Sequence, residues 1–296
     1  MRHSLTSRNS DGAPGIRPPS LWRWLAVAAL AAHLQMFLSC TARHVHVQIE
    51  YTESQWALFV YDFAVGRLPA ATTPLPVSSR LQSVVPDDPR YTRFLGSPGQ
   101  PVWILPANAR PGEISMGVGT SRIAPNVFSR NEVFLSLQRV DGPGRFTMYN
   151  ADLFGTPEVI MSTSDGVNPT VDRLPVPALA GHLHMNWAFT APGIYRLGFV
   201  ASGVLRSGGQ LSSSPVVDFT FVVEQRPELL SPRSFPRGFL SFTLQSATNT
   251  VCRLETSANL QDWSAVRLVT NTTGVTEVQL SADTNAPIQF FRAVIP

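Results

Sequence analysis

Lysine is absent from this 296-residue sequence, whose 23 basic residues are all arginine. The absence excludes P-loop phosphate binding, pyridoxal and Schiff-base chemistry and Ser-Lys hydrolysis, each of which needs a lysine amine. Cysteine is nearly absent too, with only Cys40 and Cys252. Charge is sparse, at 15% of residues, and the formal net charge of +3 is misleading about partners. Arg2, Arg8, Arg17 and Arg23 face the single acid Asp11 before residue 43, whereas from Arg43 onward 19 arginines meet 19 acids. No basic stripe or arginine run remains to follow a phosphate backbone, so nucleic acid is not expected as a partner. Helical periodicity is missing as well. No window of twelve or more residues beyond position 42 keeps a clean 3.6-residue period.

What is present begins with a leader. A polar, arginine-bearing stretch ends at Trp22-Arg23-Trp24, and the mostly apolar run Leu25 to Ser39 follows. The run is too short to span a bilayer comfortably, and its positive flank and the small residues at 39 to 42 fit an export signal over 1–42. Two processing routes fit. Phe37-Leu38-Ser39-Cys40 approximates a lipoprotein box that would lipidate Cys40, and Cys40-Thr41-Ala42 offers small residues for ordinary cleavage after Ala42. On either route Cys252 is the one thiol left in the body of the chain, so no intrachain disulfide forms and no transmembrane span is expected in the mature protein.

The body reads as strands. Val45, Val47, Ile49 and Tyr51 alternate with His44, His46, Gln48 and Glu50, and the same period recurs at Val217, Phe219, Phe221 and Val223 and at Val133, Leu135 and Leu137. Turn signals such as Asp141-Gly142-Pro143-Gly144, Ser164-Asp165-Gly166 and Ser207-Gly208-Gly209 separate short runs. The expected class is all-β, an immunoglobulin-like or jelly-roll-type sandwich over 43–224, a proline-rich linker over 225–237 and a small C-terminal β domain over 238–296.

Histidine is the most informative residue. Beyond position 42 there are four, arranged as the His-x-His pairs His44/His46 and His182/His184. On a strand such a pair shares one face with a spacing of about 6.6 Å, so two pairs could converge on one cation. Four neutral imidazoles suit zinc or another borderline divalent metal. Both pairs are expected on the non-core side of their strands, with Asn186 sharing the face of the second. A shared site requires the pairs to be adjacent in space; strands more than about 12 Å apart would exclude it.

Arg43 to Asp62, Phe94 to Pro106, Asp152-Leu153-Phe154-Gly155, Ser164-Asp165-Gly166 and above all Gly181 to Tyr195 (GHLHMNWAFTAPGIY) resemble the choice-of-anchor M domain, also called the actinobacterial surface-anchored protein domain, over about 43–224. The resemblance implies an exported, surface-associated β module without enzymatic activity, whose partners would be cell-envelope components or a metal-uptake system. The chain departs from that pattern at Phe59-Val60-Tyr61-Asp62, where a further His-x-His-Asp is common. Val251 to Trp263, Thr270 to Gly274 and Phe290 to Val294 are similar to a short C-terminal β module of exported bacterial proteins, with a passive role implied. Cys252 reads as a core thiol.

Catalytic alternatives are weaker. His44, His46 and Glu50 match the heart of a cupin-like metalloenzyme motif but lack its flanking glycines, and no Gly-x-Ser-x-Gly elbow marks a hydrolase. Ser164 to Asn168 with Asp172 reads as a solvated Asp-Gly turn in preference to a calcium loop. The sequence therefore leads to a non-catalytic surface sandwich with a candidate zinc-like site at His44, His46, His182 and His184. A purely structural or adhesive module and a cupin-like enzyme stand behind it.

Overall fold

The computed structural model describes residues 43–111, 113–178, 181–235, 238–283 and 288–296. The expected export segment 1–42, with Cys40, lies outside the described residues. The chain is all-β, as the alternation predicts. A first sheet has the order β12 (His182–His184), β7 (Ile114–Ile123), β1 (Arg43–Thr52), β2 (Gln55–Asp62) and β3 (Gly66–Leu68). A second has β10 (Pro157–Ser162), β9 (Phe146–Ala151), β13 (Asn186–Phe189), β6 (Pro101–Leu105) and β5 (Gln82–Val84). A third has β11 (Arg173–Pro177), β8 (Glu132–Asp141), β14 (Gly193–Val204), β16 (Val217–Val223) and β4 (Leu75–Val77), with β15 (Leu211–Ser213) paired to β14.

These three sheets share one core. Val45, Val47 and Ile49 of β1 meet Val133, Leu135 and Leu137 of β8, Phe219 and Phe221 of β16, and Phe146, Trp187 and Phe189 of the second sheet. Trp103 and Trp187 are buried in it, while Trp56 is half-buried and donates its indole N–H to Ser212 Oγ. The helix α1 (Pro89–Leu95) is short and locally encoded: the Asp88 carboxylate accepts from Arg90 N, Pro89 opens the first turn, and Gly96 at φ 120° ends the last. Its Phe94 and Leu95 cover Tyr149 and Ala188.

The C-terminal strands form two three-stranded sheets, β17 (Glu228–Phe235), β18 (Phe239–Gln245), β21 (Val275–Ser281) and β20 (Ser264–Asn271), β19 (Thr250–Ser257), β22 (Phe290–Val294), around a second core that contains Cys252, Leu244 and Leu254. The Cys252 thiol is fully buried, which pushes its pKa up. The residues from Glu255 to Trp263 act locally. The buried Glu255 carboxylate pairs with both Arg253 and Arg292, Ser257 Oγ and Asn259 Oδ1 accept backbone N–H groups of the following turn, and Arg292 lies over the Trp263 ring.

Two expectations are corrected. The proline-rich segment expected as a linker over 225–237 contains a strand, because Pro227 precedes β17 and Pro232 falls at its bulge between Leu230 and Arg233 on an edge strand, where a missing N–H costs no ladder bond. The face of β1 expected as the non-core side is itself buried, since His46 and Gln48 are each only 2% exposed.

Candidate metal centre

The four histidines converge because of one intervening strand. β7 lies between β1, to which it pairs in parallel, and β12, to which it pairs antiparallel. Gly117 is the register partner of both His46 and His184, and Gly119 that of both Gln48 and His182. Strands two apart in a sheet are separated by about 9.5 Å, too far for imidazoles to meet over ordinary side chains. The glycines remove that obstacle. A Cβ on Gly117 would sit 2.8 Å from His46 Cδ2, and one on Gly119 would sit 2.7 Å from His46 Nδ1 and 2.5 Å from Gln48 Oε1.

The rings lean across this gap, and one nitrogen from each of the four histidines lies within 4.8 Å of the others. His44 Nε2 is 2.8 Å from His46 Nε2 and 3.1 Å from His184 Nε2. His184 Nδ1 is 3.1 Å from the Met116 carbonyl and 3.2 Å from Ser115 Oγ, so donation to Met116 leaves its Nε2 lone pair facing the cluster. Phe63, on the turn between β2 and β3, stacks on His44 with centroids 4.2 Å apart, and its N–H donates to the His44 carbonyl. Beside it Arg43 pairs with the buried Asp62 carboxylate at 2.7 Å. Burial alone would raise the pKa of Asp62, but the Ala64 N–H, Arg43 and the Val65 N–H outweigh it and hold the group ionised.

Electrostatics make this a lone-pair site. Burial first, then the neighbouring imidazoles, lower the pKa of His46 to about 3. The same causes act on His44, while burial and His182 act on His184. In neutral imidazole each ring nitrogen is either a donor or an acceptor. His44 Nε2 therefore satisfies one of its two close nitrogen neighbours by a hydrogen bond and leaves the other contact without one. A single cation at the centre would satisfy all the converging lone pairs. A zinc ion with Zn–N distances of about 2.0–2.1 Å implies N···N edges of about 3.3–3.4 Å, which falls between the 2.8 and 3.1 Å edges at His44 Nε2 and the 4.8 Å limit of the whole set.

The other sequence candidates lie elsewhere. Glu50, the third member of the cupin-like set, pairs with Arg67 at 2.9 Å and reaches Arg122 at 4.0 Å, and it does not join the histidine cluster. Asn186 does not share the face of His182 and His184: the chain leaves the first sheet at Met185, and Asn186 Oδ1 in β13 accepts from Ala107 N. Asp172 accepts from the Ser162 and Asn168 N–H groups and so holds its own loop. Gly117, Gly119, Ser115 and Phe63 were not foreseen. The Gly-x-Gly spacing of β7, equal to that of the His-x-His pairs, is the signal that would have found the glycines.

Among the described residues no helix is long and apolar enough to cross a membrane. No family model and no curated protein matches the chain, so the resemblance to the choice-of-anchor M domain rests on the residues quoted above. Among solved structures, an amphioxus IgVJ-C2 molecule is 14% identical and covers 54% of this chain and 94% of its own, at a TM-score of 0.15. The C-terminal domain of the Streptococcus agalactiae AgI/II polypeptide BspA is 10% identical and covers 60% and 81%, at a TM-score of 0.17. Likenesses this slight carry no functional conclusion.

Proposed function

We propose that the protein is an exported, surface-associated, non-catalytic β-sandwich that binds one divalent cation, zinc or a similar borderline ion, through His44, His46, His182 and His184. The observation that carries the reading is the convergence of four histidine nitrogens within 4.8 Å of one another. The donor set fits such an ion: nitrogen ligands, with no carboxylate among them, favour zinc over calcium or magnesium. Four protein ligands complete a tetrahedron and leave no open position for substrate or water, which supports a binding role over a catalytic one. Glu50, held by Arg67, offers a cupin-like enzyme no third ligand. Export rests on residues 1–42, by lipidation at Cys40 or cleavage after Ala42, and the partners remain those the family resemblance implies.

Calorimetric titration of the metal-free protein with zinc tests the reading. One equivalent should bind to the wild type and none to His182→Ala/His184→Ala. Absence of binding to the wild type would leave a purely structural or adhesive module.

A further inference from the structure

Beyond Arg43 the chain is balanced in charge, yet its fold gathers arginines at one place. A cavity of about 630 Å³ lies between the sandwich and the C-terminal strands, lined by Arg80 and Glu224 from the first and by Arg253 and Arg292 from the second, with Arg226 from the connection. The volume is that of a small-ligand site, for which about 300–1,000 Å³ is usual.

Two of the arginines are fixed in place. Arg253 Nε donates to Glu255 Oε1 at 2.7 Å, and Arg292 donates to Oε2 through Nε at 2.8 Å. Arg292 also packs on Trp263, with its guanidinium carbon 3.9 Å from the ring centre. Glu255 is buried, so the pair is held from behind and the terminal nitrogens of Arg253 make no bond among the described residues. Arg80 and Arg226 have no acidic partner among the described residues. Glu224, the acidic side chain among the lining residues, accepts the Ser79 N–H. Counting the α-carboxylate at Pro296, which also lines the cavity, four guanidiniums stand against three carboxylates and leave an excess of one positive charge around the recess. Such a set repels itself unless an anion enters, and planar forks match carboxylate or phosphate oxygens in pairs.

We propose that this cavity is a binding site for an oligoanion carrying at least two carboxylate or phosphate groups, of the size of a short segment of an acidic glycan or a phosphate-bearing polymer. Arg253 and Arg292 form its rigid floor, and Arg80 and Arg226 are the arms that close on the ligand.

Titration of the full chain with trigalacturonate and with tripolyphosphate separates the two sources, with maltotriose as the uncharged control. Binding of at least one anion is expected, weakened about tenfold or more in Arg80→Ser/Arg226→Ser and again by raising the salt from about 50 mM to about 0.5 M. Neither arm carries a structural bond, so the thermal midpoint of the double variant should match the wild type. The proposal is overturned if neither anion binds, if the double variant binds as the wild type does, if maltotriose binds equally well, or if a thymidine hexanucleotide binds more tightly than both.

Discussion

Substituting Gly119→Ala is the sharpest probe of the histidine cluster. The residue lies in β7 at an ordinary strand conformation, so alanine brings no backbone strain, only a methyl group. That methyl would sit 2.7 Å from His46 Nδ1 and 2.5 Å from Gln48 Oε1, and both side chains are buried with little room to retreat. Restoring contact distance moves the His46 ring by about half an ångström or more. Overpacking of this kind costs about 1–3 kcal/mol, a fall in Tm of about 2–10 °C for a chain of this size. If the imidazoles hold a cation, displacing one of them should weaken zinc binding about 10- to 100-fold, the range seen when a ligand's supporting contacts are disturbed. The control is Gly203→Ala, whose Cβ would meet Phe128 at 2.6 Å in the sandwich core. It should destabilise comparably and leave the zinc affinity intact. Calorimetric titration with thermal melts of both variants decides the matter. Wild-type zinc affinity in Gly119→Ala, or an equal loss in Gly203→Ala, would refute the reasoning.

Acid should act through the same residues. The folded protein keeps His46 neutral down to about pH 3, whereas the unfolded chain protonates it near 6.5, so the unfolded state binds more protons in that window. Metal-free protein is expected to lose stability as pH falls from 6.5 towards 3, and His46→Gln to lose less, as read from urea melts at pH 7 and 5; equal losses would count against this. Phe63→Ala uncovers the face of the His44 ring, and a chelator should then extract zinc at least about fivefold faster, with less than a tenfold change in equilibrium affinity, measured by stopped-flow chelation. Glu255→Gln leaves Arg253 and Arg292 without their shared carboxylate and should destabilise the C-terminal strands by about 1–3 kcal/mol in denaturant melts, with zinc affinity unchanged.

The local parts of this architecture were legible from the residues. The alternation in Arg43–Thr52 gave the right inward face, Val45, Val47 and Ile49, and the spacing of each histidine pair gave its common side. Alternation divides a strand's residues between two faces but says nothing about what covers the second, which is why His46 and Gln48 read only as non-core and are nevertheless buried. The course of the segment after His184 was hidden for a related reason. His182 to Phe189 has one unbroken period, and only the competing pairings of β12 with β7 and of β13 with β6 and β9 divide it at Met185. The glycines of β7 are uninformative alone and acquire meaning when histidines stand on both neighbouring strands. The strand at Glu228–Phe235 was masked by prolines that an edge position tolerates.

The ring nitrogens of His44 and His184 meet across 140 positions of sequence, with a third strand laid between their own. No nascent length ending before residue 184 contains the four histidines. If the site takes a cation as proposed, loading follows folding, and the identity of the ion is decided by the compartment in which folding is completed. For a chain that leaves the cell unfolded, that compartment lies outside, and the protein would report the metals of its surroundings instead of those of the cytoplasm that made it.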